Sequence, residues 1–228
     1  GEESRHTHSL LLKDQAKLYC LQDDPDTPAA SSVSGLEAFQ SATITLTGSS
    51  YLEAEGKDST GKYFGMGVCS GNPIYVQDNA TLKTTGYDIA LWAGSLNVTG
   101  GTVIANSHYG NGICADDISI SDATVEASGY YPALYGANSL TISDSKIKAT
   151  SSSDVAIFSP GDVTISQSVL QTTSADDYDG ILSRKTLSIR NSWFETTDSN
   201  SYDDALTDST LFNGTKGKVI GSATLPFD

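Results

Sequence analysis

The chain has 228 residues and carries 28 Asp+Glu against 13 Lys+Arg, a formal net charge of −15. So acidic a surface repels phosphate backbones and anionic lipid, which argues against nucleic acid or a membrane surface as partner. No apolar run approaches the ~20 residues that span a bilayer, and the length suits one domain with one sizeable core.

The chain opens on Gly1-Glu2-Glu3-Ser4, with no basic region followed by an apolar one, and reads as a mature or trimmed fragment from which the targeting signal, if any, has been removed. Residues 1–40 carry two apolar pieces, Leu10-Leu11-Leu12 and Lys17-Leu18-Tyr19-Cys20, and are expected to form an N-terminal cap or first partial coil. Cys20, Cys69 and Cys114 show no metal-ligand spacing and leave the redox compartment open.

A repeat follows: Gly or Ala, an aliphatic, about five residues, then aliphatic-x-aliphatic. A degenerate copy runs from Gly35-Leu36 to Ile44-Thr45-Leu46. Clear copies run from Gly67-Val68 to Ile74-Tyr75-Val76, from Ala90-Leu91 to Leu96-Asn97-Val98, and from Gly112-Ile113 to Ile118-Ser119-Ile120. Others are Ala133-Leu134 to Leu140-Thr141-Ile142, Ala156-Ile157 to Val163-Thr164-Ile165, and Gly180-Ile181 to Leu187-Ser188-Ile189; Ala205-Leu206 begins one more. Starts at 74, 96, 118, 140, 163 and 187 stand 22, 22, 22, 23 and 24 residues apart. A second apolar position lies seven or eight residues on, at Leu52, Leu82, Val103, Val125, Ile147, Leu170 and Phe194.

Each repeat therefore holds three short strands of period-2 alternation, separated by turn residues such as Asp78-Asn79, Gly100-Gly101 and Asn191-Ser192. Three strands per 22–24 residues with no helix between them predict an all-β, right-handed, single-stranded parallel β-helix (a solenoid) of about seven coils. At ~4.8 Å per coil the rod would be roughly 34 Å long. A leucine-rich horseshoe shares the period but needs a Leu/Asn consensus that is absent. The whole of 1–228 is expected as a single domain, with residues 41–207 forming the coils and 208–228 a C-terminal cap.

Stacking turns each outward position into a ladder. The first strand presents Thr45, Tyr75, Asn97, Ser119, Thr141, Thr164 and Ser188, a plain solvated face. The second presents Glu53, Lys83, Ile104, Glu126, Lys148, Gln171 and Glu195, whose alternating signs suit pairing between neighbouring strands. On the third strand Cys69, Trp92, Cys114, Tyr135, Phe158 and Leu182 form an apolar stripe. Such a stripe marks either an interaction surface or a face covered by the chain's own termini.

Before that strand comes a turn where tyrosine recurs, at Tyr63, Tyr87, Tyr109, Tyr130, Tyr131, Tyr178 and Tyr202, accompanied by acids such as Asp88 and Asp154. Phenol rings stack on the apolar faces of sugars while carboxylates accept hydrogen bonds from hydroxyls. Tyr87, Tyr109, Tyr130, Tyr178 and Tyr202 are therefore glycan-binding candidates, joined by Trp92, Tyr135 and Phe158 of the stripe; a structural ring stack that plugs the turn is the plainer alternative. Asp176, Asp177 and Asp179 with Asp203 and Asp204 are the candidate calcium ligands, although no cluster has calcium-loop spacing and solvated acids are the plainer account.

A lyase needs a base beside cationic partners, yet only Arg184-Lys185 lies near the acid-rich turns. His6, His8 and His108 do not cluster, and no Ser/His/Asp or Cys/His arrangement or phosphate-binding glycine loop is present. The expectation is a protein that is not an enzyme. The repeats, with segments such as Gly112-Ile113-Cys114-Ala115-Asp116-Asp117-Ile118-Ser119-Ile120 and Tyr178-Asp179-Gly180-Ile181, resemble the pectin-lyase-like β-helix superfamily. More narrowly, they look like the non-catalytic carbohydrate-binding β-helix domains of bacterial surface proteins. The resemblance covers residues 35–210. It implies an extracellular or cell-surface protein that binds an acidic plant or wall polysaccharide with calcium. The Asp-Gly-Ile element of those domains stands intact only at Asp179-Gly180-Ile181, and Asn111-Gly112-Ile113 departs from it. A structural or adhesive spacer is the alternative, and a lyase or hydrolase the third reading.

Overall fold

The computed structural model describes residues 9–21, 34–38, 41–56, 65–175, 178–197 and 206–207. They form a right-handed parallel β-solenoid with no α-helix among them. One sheet has eight strands, from Lys17–Leu21 to Trp193–Thr197, one per coil; the other has twelve. Every pairing is in parallel register, so that Val68, Leu91, Ile113, Leu134, Ile157 and Ile181 stand one above another.

All six of those side chains are buried to 0 % exposure, and a parallel file on the eight-stranded sheet runs through Leu52, Leu82, Val103, Val125, Ile147, Leu170 and Phe194. A third runs through Ile44, Ile74, Leu96, Ile118, Leu140, Val163 and Leu187. The three files meet along the axis as one hydrophobic core. The aliphatic period is thus what closes the coil, because only this register puts every branched side chain inside.

Three short strands per coil is the one architectural expectation that the structure modifies. In the coils from Val68 to Ser143 the third strand of one coil runs on into the first strand of the next, giving single strands Val68–Gln77, Leu91–Thr99, Ile113–Ser121 and Leu134–Ser143. The chain changes direction there through a register shift, between Ser70 and Pro73 and between Ala115 and Asp117, without leaving the ladder. The expected separation appears only further on, as Ile157–Ser159 then Asp162–Ser166, and Ile181–Ser183 then Leu187–Arg190. Pro160, which has no N–H to give to a ladder, stands in the first of these breaks.

Of the segment expected as a cap or partial coil, Leu10–Leu12 and Lys17–Leu21 pair in parallel with Ile44–Leu46 and Tyr51–Gly56 as a rung of the solenoid, and Leu36–Ala38 pairs with Val68–Ser70. Residues 208–228 lie outside the described residues.

The corner between the first and second strands is tight and repeated. Asn79, Gly100, Asp122, Asp144, Gln167 and Asn191 take φ between 48° and 69°, the left-handed region that Gly, Asn and Asp enter most easily. A small buried residue follows each. In the later coils it is serine: Ser145 Oγ accepts the Ala123 N–H, Ser168 Oγ the Ser145 N–H, and Ser192 Oγ the Ser168 N–H, each at 3.1 Å. The same hydroxyls donate to the carbonyls of Ser143, Ser166 and Arg190. An internal hydroxyl ladder thereby satisfies backbone groups that the corner would otherwise strand.

Candidate functional site

The opposite corner, between the second and third strands, carries the tyrosines. It is entered through small residues. Gly86 is one, since a Cβ there would stand 2.0 Å from the Ile89 carbonyl oxygen. Ser107 and Ser151 are others. The Ser107 hydroxyl donates to the Asp88 carbonyl and accepts the Gly110 N–H at 2.9 Å, while the Ser151 hydroxyl donates to the Tyr130 carbonyl and accepts the Asp154 N–H, both at 3.1 Å. Backbone bonds stack the corner from coil to coil: Tyr109 N–H to Tyr87 carbonyl at 2.8 Å, Tyr131 to Gly110 at 3.2 Å, Ser153 to Tyr130 at 3.0 Å.

This scaffold gathers five rings. The Tyr87 and Tyr109 centroids are 4.8 Å apart, those of Tyr109 and Tyr130 6.5 Å, and those of Tyr130 and Tyr131 5.3 Å. His108 joins them, 5.7 Å from Tyr87 and edge-on to Tyr109 at 4.4 Å. The ring planes of Tyr87, Tyr109 and Tyr130 are tilted by 49–56°, so they do not stack flat on one another. Tyr109, Tyr130 and Tyr131 remain 48, 41 and 51 % exposed. A ring that plugged the corner would be buried; these stay open to solvent. Their hydroxyls meet no hydrogen-bond partner among the described residues.

Carboxylates bracket the rings. Asp88 is half-buried, and its Oδ1 lies 3.0 Å from where a Cβ on Gly110 would stand. Burial pushes this carboxyl above the usual carboxylate range. At the other end Asp154 accepts the N–H of Val155 at 2.7 Å.

The remaining candidates divide. Tyr178 is 44 % exposed but shares no ring contact with the group, and Tyr202 lies outside the described residues. The apolar stripe forms as expected: Cys69, Trp92, Cys114, Tyr135, Phe158 and Leu182 are register partners on successive strands. Trp92, at 36 % exposure, is its open member, and Tyr135 and Phe158 are half-buried with centroids 5.6 Å apart. The Arg184 guanidinium lies 5.5 Å over the Phe158 ring. On the second strand Lys83 meets Glu53 at 2.8 Å and Lys148 meets Glu126 at 2.7 Å, so that face is spent on pairing.

For calcium, Asp176, Asp177, Asp203 and Asp204 fall outside the described residues. Asp179 is 8 % exposed, and its carbonyl accepts the Ser174 hydroxyl at 2.6 Å. Among the described residues no three of His, Cys, Asp and Glu come together as a metal site. His108 is the residue that sequence reasoning set aside because the three histidines do not cluster. Its signal was available, since Ser107-His108-Tyr109 occupies the coil position that Gly86-Tyr87-Asp88 occupies one turn before. No protein-family model, curated protein or solved structure matches this chain, and the functional reading therefore stands on its own residues.

Proposed function

We propose that this is a secreted or cell-surface β-helix that binds a glycan without cleaving it, on the open aromatic corner of Tyr87, His108, Tyr109, Tyr130 and Tyr131, with Trp92 on the adjoining face. The observation that carries the reading is the half-exposure of three neighbouring phenol rings whose hydroxyls have no protein partner among the described residues. Ring faces bury the apolar side of a sugar, and free hydroxyls with Asp88 and Asp154 meet its polar edge. A rigid strand stack beneath holds the rings in place before the ligand arrives, which lowers the ordering cost of binding. The likeness of the repeats to the non-catalytic carbohydrate-binding branch of the pectin-lyase-like β-helices supports the same reading.

The test is binding of the whole chain to a broad glycan array, repeated with Tyr109→Ala and Tyr130→Ala. Each ring removed should weaken the bound glycan by about threefold to tenfold, the worth of one aromatic contact. Silence of the unaltered chain across the array, or equal binding by both variants, overturns the proposal in favour of a spacer.

A further inference from the structure

We infer that the aromatic corner selects a glycan bearing free amines, and so positive charge, over one bearing uronates. This rests on the glycan-binding reading above and names the ligand class of the same site.

The charge distribution is the starting point. From Thr84 to Ser145 the sequence contains no lysine or arginine and six acids: Asp88, Asp116, Asp117, Asp122, Glu126 and Asp144. This one stretch supplies all five rings of the corner. Of the cations that flank it, Lys83 pairs with Glu53 and Lys148 with Glu126, while Lys146 opens its strand beside the tight corner, away from the rings. A carboxylated sugar laid on the rings would meet no lysine or arginine from this stretch to neutralise it, on a protein of net charge −15. Nor do the described residues offer a metal cluster to bridge the two negative charges.

An ammonium group meets the opposite situation. The faces of phenol rings carry negative potential and attract cations. The Asp88 carboxylate, half-buried beside Gly110, has no hydrogen-bond partner among the described residues, so it keeps its acceptor capacity for a ligand. Burial raises its pKa, and no described residue gives the ionised form a hydrogen bond or a cation. A bound amine would supply that missing partner, in a charge-assisted bond stronger than a neutral one.

The experiment titrates the full chain with three hexasaccharides: glucosamine, its N-acetylated counterpart and galacturonate. The amine hexamer should bind at least tenfold more tightly than the acetamide hexamer, and the uronate hexamer not at all. Asp88→Asn should reduce amine binding about fivefold to tenfold and acetamide binding less than about twofold, because the Asn carbonyl still accepts from a neutral polar edge while the charge that pairs with an ammonium is gone. Asp122→Asn removes the same charge at the tight corner, where Asn also accepts the positive φ, and should leave both unchanged. Equal affinity for amine and acetamide, binding of the uronate, or an equal loss from Asp122→Asn overturns the inference. If the hexamers fail while the array shows Tyr109-dependent binding to a neutral glycan, this inference falls and the glycan-binding reading stands. Silence of hexamers and array together sinks both.

Discussion

Replacing Ile113 by alanine probes the file on which the aromatic corner rests. Ile113 is at 0 % exposure, in register with Leu91 on one side and Leu134 on the other. The substitution removes three carbons, worth roughly 2.4 kcal/mol at ~0.8 kcal/mol per methylene. The void cannot close along the axis, because Leu91 N–H is bound to the Gly112 carbonyl at 3.0 Å and Ile113 N–H to the Ala133 carbonyl at 2.8 Å. A cavity contribution therefore adds to the transfer loss, for a total of about 3–4 kcal/mol. Ile113→Val, which removes one carbon, should cost about 1 kcal/mol. Urea unfolding of the full chain measures both. In a solenoid each coil touches only its neighbours, so amide exchange should quicken at Leu91–Thr99 and Leu134–Ser143 and hold steady at Tyr51–Gly56. A loss below ~1.5 kcal/mol for alanine, or one no larger than for valine, would show that equivalent side chains of successive coils do not pack as a continuous file.

Two further outcomes follow from the titrating groups. The Asp88 carboxyl has a higher pKa folded than unfolded, so its ionisation works against the fold: the penalty is absent below the unfolded value and grows as pH rises through the folded one. Asp88→Asn should accordingly raise the midpoint of thermal unfolding at pH 7 and leave it unchanged near pH 3, and a lower midpoint at pH 7 would mean the carboxylate has a stabilising partner. The Cys114 thiol is pushed up to about 11, by burial first and by Asp116 second, so its thiolate at pH 8 is only about one part in a thousand. Peptide-resolved alkylation by iodoacetamide at pH 8 should run more than about a hundredfold slower at Cys114 than on a free cysteine of pKa ~8.5, and a comparable rate would refute the burial argument.

The core was legible because it depends on one property repeated at one interval. Branched aliphatics at Val68, Leu91, Ile113 and Leu134 can be placed inside only by a coil of that length. The fused strands were not legible. Ser70-Gly71-Asn72-Pro73 has the composition of a turn, yet the neighbouring ladders hold it extended and absorb the direction change as a register shift. The tyrosines were visible at the corner, but not which of them meet. Tyr178 has the same residue type and flanking acid as Tyr87, but the coil that follows Tyr130 carries Ser152-Ser153-Asp154 at this corner and no ring to link the two. Which way a ring leans depends on the coils above and below it, and local sequence does not carry that.

The two corners differ in a way that bears on how such a chain can change. Across the tight corner the interval is eight from Ile44 to Leu52 and from Ile74 to Leu82, and seven from Leu96 to Val103, Ile118 to Val125, Leu140 to Ile147, Val163 to Leu170 and Leu187 to Phe194. Across the other, the interval is nine from Leu82 to Leu91, ten from Val103 to Ile113, eleven from Leu170 to Ile181 and sixteen from Leu52 to Val68. Added length is taken up mainly at the tyrosine corner while the inner columns keep their alignment. Loops could therefore be exchanged or enlarged there, coil by coil, without re-registering the prism, and that surface can diversify independently of the frame that holds it up.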